Sequence, residues 1–294
     1  MPRKSRARLG SKSVPRNCIR RSGKPNDQRR QPLSHYWLNL LLFGSIGASV
    51  AYFAARRIQV MALVDVVWTA GMGFAAAAYL ASLEEIPLRS YIVLTVLLIW
   101  STRLSFYLLK HRVFAGTEDP RYAYLTAHWG KHAMRNYYPL FLAQVLLTAV
   151  FMVPISIAMQ ASSSSWSITD WLGLAIAASA LLGEFMADRQ LATFRAVPKN
   201  RGRVCQDGLW RYSRHPNYFF EWLHWWAYVA FAFNSSMWPF ALIGPLCMYI
   251  FLRYITGVPY AERSSLRSRG DAYQHYQQTT NTFFPWKPHH APQH

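Results

Sequence analysis

Residues 207–228 read DGLWRYSRHPNYFFEWLHWWAY, and no other part of the chain sets so much polar chemistry against so much membrane-like sequence. Gly208 suits a turn, while Pro216 suits the first position of a helix, where its missing N–H costs nothing and its φ is already helical. A helix is therefore predicted to start at His215 or Pro216. From there Asn217, Glu221, His224 and Tyr228 fall at offsets of 0, 4, 7 and 11 and share one face. Phe219, Phe220, Trp222, Leu223 and Trp226 cover the others. A carboxylate and an imidazole in so apolar a helix must look into a protein interior or a wet cavity, which makes Glu221 a site candidate. The alternative is a structural polar network between helices, with Arg214 and His215 meeting lipid headgroups.

Composition sets the class. Of 294 residues, 52% are hydrophobic and 16% aromatic, yet polar segments dilute the very apolar runs to a mean hydropathy of +0.02. That profile predicts an all-α, polytopic membrane helix bundle with basic loops. The net charge is +19, but residues 1–35 supply eleven Lys or Arg against one Asp. More than half of the excess thus sits in one arm, which argues against nucleic-acid binding. The arm has no apolar run and is expected to be disordered and not to be a standard secretory signal. Its Arg- and Ser-rich composition permits an organellar transit peptide. Cys18, Cys205 and Cys247 show no paired spacing and read as free thiols, with no zinc site.

About seven spans are expected, at 36–54, 60–82, 91–109, 138–159, 168–186, 217–234 and 237–255, inside one membrane domain of residues 36–286. Residues 287–294 read as a flexible tail. With that count, segments 55–59, 110–137, 187–216 and 256–294 fall on one side and carry nearly all the basic loop residues. The positive-inside tendency assigns that side to the cytosol. The N-terminus then lies opposite, against its own charge. Either the arm is cleaved, or the first span is no crossing, or the later charges outweigh it. No internal repeat is evident.

Other intramembrane polar residues are Asp65 in the second span, Arg103 in the third and Gln144 in the fourth. An Asp65–Arg103 ion pair is one account, and an Asp65 that reaches a substrate chamber is another. The run GMGFAA at 71–76 superficially matches a dinucleotide fingerprint but lies within an apolar helix, so it reads as packing by small residues. The connector 187–216 carries Asp188, Arg189, Arg195, Lys199, Arg201, Arg203, Arg211 and Arg214. Joined to a helix N-terminus, it is a candidate clamp for a pyrophosphate and a 2′-phosphate, although basic loops also arise from topology alone. Further on, Glu262 and Arg263 open a polar helix on which Tyr273 and Tyr276 share a face.

The run GLWRYSRHPNYFFEW (208–222), with ADRQLATF (187–194) before it and GPL (244–246) and GVPYAE (257–262) after it, resembles the DUF1295 family of steroid 5-alpha-reductase-like membrane proteins. The likeness runs from about Asp65 to Trp286. A weaker one extends to sterol reductases and to isoprenylcysteine carboxyl methyltransferases, through the R-H-P-x-Y core. In the reductases an Asp and an Arg seven residues apart contact the nucleotide, and Asp188 with Arg195 keep that spacing. The resemblance also implies that Arg214, His215, Asn217 and Tyr218 hold the cofactor, that an acid at Asp65 helps to hold a substrate carbonyl, and that the C-terminal tail folds over the nucleotide. In one position the chain departs from the pattern. Phe220 stands where Gly usually precedes the Glu, and its bulk either narrows the cofactor groove or packs against lipid.

These readings converge on an NADPH-dependent reductase of a C=C bond in a steroid- or lipid-like enone. Glu221, Asp65 and Tyr218 are the catalytic candidates, with Tyr212 a further donor. The expected cofactor contacts are Asp188, Arg195, Lys199, Tyr212, Arg214, His215, Asn217, Tyr218, Glu262, Arg263, Tyr273 and Tyr276. One alternative is an S-adenosylmethionine-dependent methyltransferase; the chain ends in TTNTFFPW and lacks that family's R-V-P. A second is a non-catalytic membrane subunit, for which Phe220 is the supporting feature. The leading reading requires Glu221 to point inward and a hollow to join it to the connector.

Overall fold

The computed structural model describes residues 31–161 and 166–289. The readings of residues 1–30 as a disordered arm and of Cys18 as a free thiol lie outside the described residues. Cys205 and Cys247 are free thiols. The described residues form helices α1 (Gln31–Ile58), α2 (Leu63–Ala81), α3 (Leu88–Leu108), α4 (Pro120–Trp129), α5 (Ala133–Gln160), α6 (Ile168–Ala196), α7 (Pro216–Ala232), α8 (Trp238–Ala241), α9 (Ile243–Ile250) and α10 (Val258–Thr279), with no strand among them.

Six helical stretches are long and apolar enough to cross a membrane. The expected span not among these six is the sixth, α7, whose 17 residues sit at the lower limit of about 17–25 for a crossing. Large apolar side chains line the outer surface: Leu42, Phe43, Ile46 and Phe53 on α1, Phe74 on α2 and Leu182 on α6 are all more than half exposed. In water such a surface would aggregate, whereas in a bilayer it is solvated. The protein is thus an all-α, multi-pass membrane protein.

The expected boundaries move in several places, and α6 runs on to Ala196 where the expected span ended at 186. Helix α1 starts at Gln31 rather than at residue 36. Segment 110–137 is not an open linker: α3 continues through a π-helical turn at Leu109–Val113, and α4 follows, capped by the Asp119 carboxylate on Arg121 N at 2.9 Å. The last span is broken into α8, α9 and a π-helical turn at Phe251–Ile255. Finally, the tail does not fray at residue 287, because His289 N donates to Thr279 O at 2.8 Å.

The core lies where α2, α3, α5 and α7 meet, around Trp100, Phe151, Trp225, Tyr228 and Phe231. Met72, Gly73, Ala75 and Ala76 are buried in α2, as the small-residue reading of 71–76 expects. Helices α6 and α7 make the most extensive helix pair. At one end of the bundle, Arg89 forks onto Asp170 with both bonds at 2.7 Å, and Asp170 also completes a capping box with Ser167. At the opposite end the basic segments converge, since Arg121 reaches Asp65, Arg269 reaches Arg203 O and Trp286 N reaches Tyr212 O.

Candidate functional site

Helix α7 begins as the sequence predicts, with Pro216 at its first position and His215 as N-cap. Its polar stripe faces α3 and α6. Glu221 is 7% exposed, and its Oε2 accepts from Trp100 Nε1 at 2.8 Å. One turn further, His224 Nε2 and Tyr228 Oη lie 2.8 Å apart, with the Trp100 ring stacked on His224 at 5.6 Å and 14°. One turn earlier, Asn217 Nδ2 donates to Asp188 Oδ1 at 3.3 Å.

Arg103 joins the stripe to α6. Its guanidinium pairs with Glu184 and lies 3.6 Å from Asp188, with Glu221 in electrostatic reach. Three carboxyl groups thus surround one guanidinium inside the apolar bundle. The Asp65–Arg103 pair considered from the sequence does not form. Asp65 instead accepts from Arg121 Nη2 at 2.6 Å and Tyr122 Oη at 2.7 Å, because α4 folds beneath α2 and carries both donors there. Glu184 escaped the sequence reading. Its signal was available, as an acid one turn before Asp188 in a helix expected to be lipid-immersed.

Asp119 completes the Asp65 cluster, paired with Arg121 at 2.9 Å and with Arg112 at 3.4 Å. Burial pushes its carboxyl up, but the Arg121 charge and hydrogen bonds, with Arg112, outweigh this and hold it below the usual range. Between the two clusters sits Tyr218, its ring stacked on His215 at 5.4 Å and 7°. Arg121, Asp119, Arg112 and Asp188 all lie within electrostatic reach of it. Its hydroxyl has no hydrogen-bond partner among the described residues.

At the basic end, Arg195 and Lys199 are exposed. Neither pairs with an acid among the described residues, and Arg195 is close enough to Arg112 and Arg269 to be repelled by both. Tyr212 is also exposed.

Arg214 behaves otherwise. It is 7% exposed and donates to Glu262 Oε1 at 2.7 Å, Gln277 O at 2.9 Å, Thr280 O at 2.6 Å and Thr282 Oγ1 at 2.8 Å. His215 Nε2 lies 3.4 Å from the same Glu262 oxygen, and burial pushes the imidazole below its ordinary range. Tyr276 donates to the carbonyls of Trp210 and Ser213, and with Tyr273 it is almost wholly covered. The tail therefore straps across residues 210–215, and both tyrosine rings are covered by protein. Arg263 points away from Glu262, toward the rings of Tyr124 and Tyr260.

Phe220 neither lines the acid cluster nor faces lipid alone. Its ring fills the space above Gly183 of α6, where a Cβ would collide with it. Two clefts are outlined: one on α3 at Thr95, Leu98, Ile99, Thr102 and Arg103, and one between α4 and α10. Glu221 points inward as required but lines neither of them. The hollow that the sequence reading called for is not among these two clefts.

The bundle and its buried polar stripe define a polytopic helical membrane protein of a particular kind, with titratable side chains packed from three different helices. A family model described as a protein of unknown function (DUF1295) matches residues 51–280, and the chain belongs to that family. No curated protein and no solved structure matches it.

Proposed function

We propose that the protein is a membrane oxidoreductase that uses NADPH to reduce a carbon–carbon double bond conjugated to a carbonyl in a lipid-like substrate. The observation that carries this reading is the gathering of Glu184, Asp188 and Glu221 around Arg103, tied to the start of α7 through Asn217. Polar groups in the apolar bundle are costly and mark functional sites by default. Three acids also exceed what one cation pairs.

NADPH, when bound, supplies the hydride. The residues at the basic end suit its phosphates: Arg195 and Lys199 are exposed and pair with no acid among the described residues, and the start of α7 is tied to α6, which carries Arg195, through Asn217 and Asp188. Asn217 and Asp188 offer an amide and a carboxylate to the nucleotide's polar edge. Reduction at the β carbon leaves charge on the substrate oxygen, which needs a donor in a dry site. Tyr218, with its uncommitted hydroxyl, suits that role, and Glu221 is positioned to hold a proton beyond it. Asp65, engaged by Arg121 and Tyr122, keeps the electrostatic surroundings of Tyr218 in place. The positive-inside tendency puts this end on the cytosolic side.

The R-H-P-x-Y core is shared with methyltransferases, so the test carries both cofactors. Purified protein in detergent is titrated with NADPH and with S-adenosylmethionine while its thermal midpoint is followed. Stabilisation by NADPH that is lost in an Arg195→Gln/Lys199→Gln double variant supports the reductase. Stabilisation by S-adenosylmethionine alone assigns the methyltransferase class, and a response to neither leaves a non-catalytic subunit.

A further inference from the structure

The outer face of α4 and α10 holds a second feature, independent of the buried acids. A cleft of about 290 Å³ lies between the two helices, walled by Tyr124, Tyr260, Arg263, Ser264 and Arg267. No acid lines it. Its neighbouring carboxylates are engaged elsewhere: Asp119, which caps α4, is held by Arg121 and Arg112, and Glu262 by Arg214.

The walls are organised for an anion. Arg263 is steadied above two rings, with its guanidinium carbon 5.9 Å from the Tyr124 centroid and 5.8 Å from that of Tyr260. Arg267 follows one helical turn later on the same face, so two like charges stand side by side, with no counter-charge paired to them among the described residues. The hydroxyls of Tyr124, Tyr260 and Ser264 have no partner among the described residues, which leaves three donors directed by the same surface. The cleft is built on the helices that follow the third apolar span and the last one. Exposed Phe114 precedes α4, and exposed Tyr254 and Ile255 precede α10. Such a junction of apolar anchors and unpaired arginines lies at headgroup depth.

We propose that the α4–α10 cleft binds a phosphate anion, and that its occupant in the membrane is the phosphodiester of an acidic phospholipid, clamped by Arg263 and Arg267. The volume accepts a headgroup and no more, while the acyl chains run along the exposed apolar residues of the neighbouring spans. The proposal does not depend on the reductase reading.

The test uses full-length protein in phosphatidylcholine nanodiscs with and without phosphatidylglycerol, inorganic phosphate being a separate arm. Wild-type protein should gain thermal stability with phosphatidylglycerol. An Arg263→Gln/Arg267→Gln double variant should need about fivefold more acidic lipid for each arginine removed. Ser264→Glu, which puts a carboxylate into the cleft, should abolish the response while leaving the midpoint in pure phosphatidylcholine unchanged. A response to inorganic phosphate that both variants lose would keep the site and assign it to soluble phosphate. Equal responses of wild type and both variants would overturn the proposal.

Discussion

Trp100 Nε1 donates to Glu221 Oε2 at 2.8 Å, joining α3 to α7 across the buried middle of the bundle. The bond separates structure from chemistry. Trp100→Phe keeps an aromatic ring over His224 but leaves a buried carboxylate oxygen without its donor, which costs about 1–3 kcal/mol. Glu221→Gln still accepts from Trp100. We expect Trp100→Phe to lower the unfolding midpoint in detergent, and Glu221→Gln to leave it nearly unchanged while abolishing the NADPH oxidation that the proposed function requires. A Glu221→Gln protein with full turnover would place the acid in a structural role only.

Asp65 offers a test of pairing. Because it bonds Arg121 and not Arg103, a double-mutant cycle of Asp65→Asn with Arg121→Gln should give a coupling of about 1–3 kcal/mol. The same cycle with Arg103→Gln should give close to none. Arg103 should instead couple to Glu184→Gln, with which it pairs. Reversible unfolding in mixed micelles measures both.

The all-α membrane bundle, the α7 start at Pro216 and the inward stripe of Asn217, Glu221 and His224 were legible because each rests on local chemistry: an apolar run, a proline, a helical period. Pairing was not. Asp65 and Arg121 are separated by an entire span, and only the short helix α4, hidden in a basic segment that read as a linker, brings them together. Arg214 was read as a cofactor or headgroup contact and not as the clasp of the tail, since three of its four acceptors lie beyond residue 276. Glu184 was legible as well, since it is an acid inside an apolar run long enough to span a bilayer.

Gly183 and Phe220 form a matched pair. Any side chain at 183 would meet the Phe220 ring, so Gly183→Ala should destabilise the α6–α7 packing by about 1–3 kcal/mol. Phe220→Gly alone should also destabilise, by opening a cavity. The combination Gly183→Ala/Phe220→Leu should recover part of the loss, and a strictly additive outcome in thermal unfolding would contradict the contact.

Arg214 fastens the C-terminal strap through one guanidinium. Lysine keeps the charge but presents no fork and cannot serve Glu262 and three chain oxygens together. Arg214→Lys should therefore cost about 1–3 kcal/mol for each buried acceptor left unmatched. Amide hydrogen exchange should rise selectively at residues 277–286, the α1–α5 half staying protected. Uniform exchange changes across the chain would show that the strap is not a separate unit.

His215 gives the molecule a signed response to acid. Burial is the largest influence on it and lowers its proton affinity below the ordinary pKa of 6.5, although the Glu262 contact partly opposes this. In the unfolded chain the imidazole takes up a proton as pH falls through about 6.5, while the folded one resists. The unfolded state then binds more protons, so stability rises with pH across the window below 6.5. The contribution is complete above that value and is lost as pH falls toward the depressed folded pKa. A thermal midpoint followed from neutral pH to pH about 5 should decline in the wild type, and the decline should be shallower in His215→Gln. A steeper decline in that variant would mean that the imidazole is charged in the folded protein, with Glu262 outweighing burial.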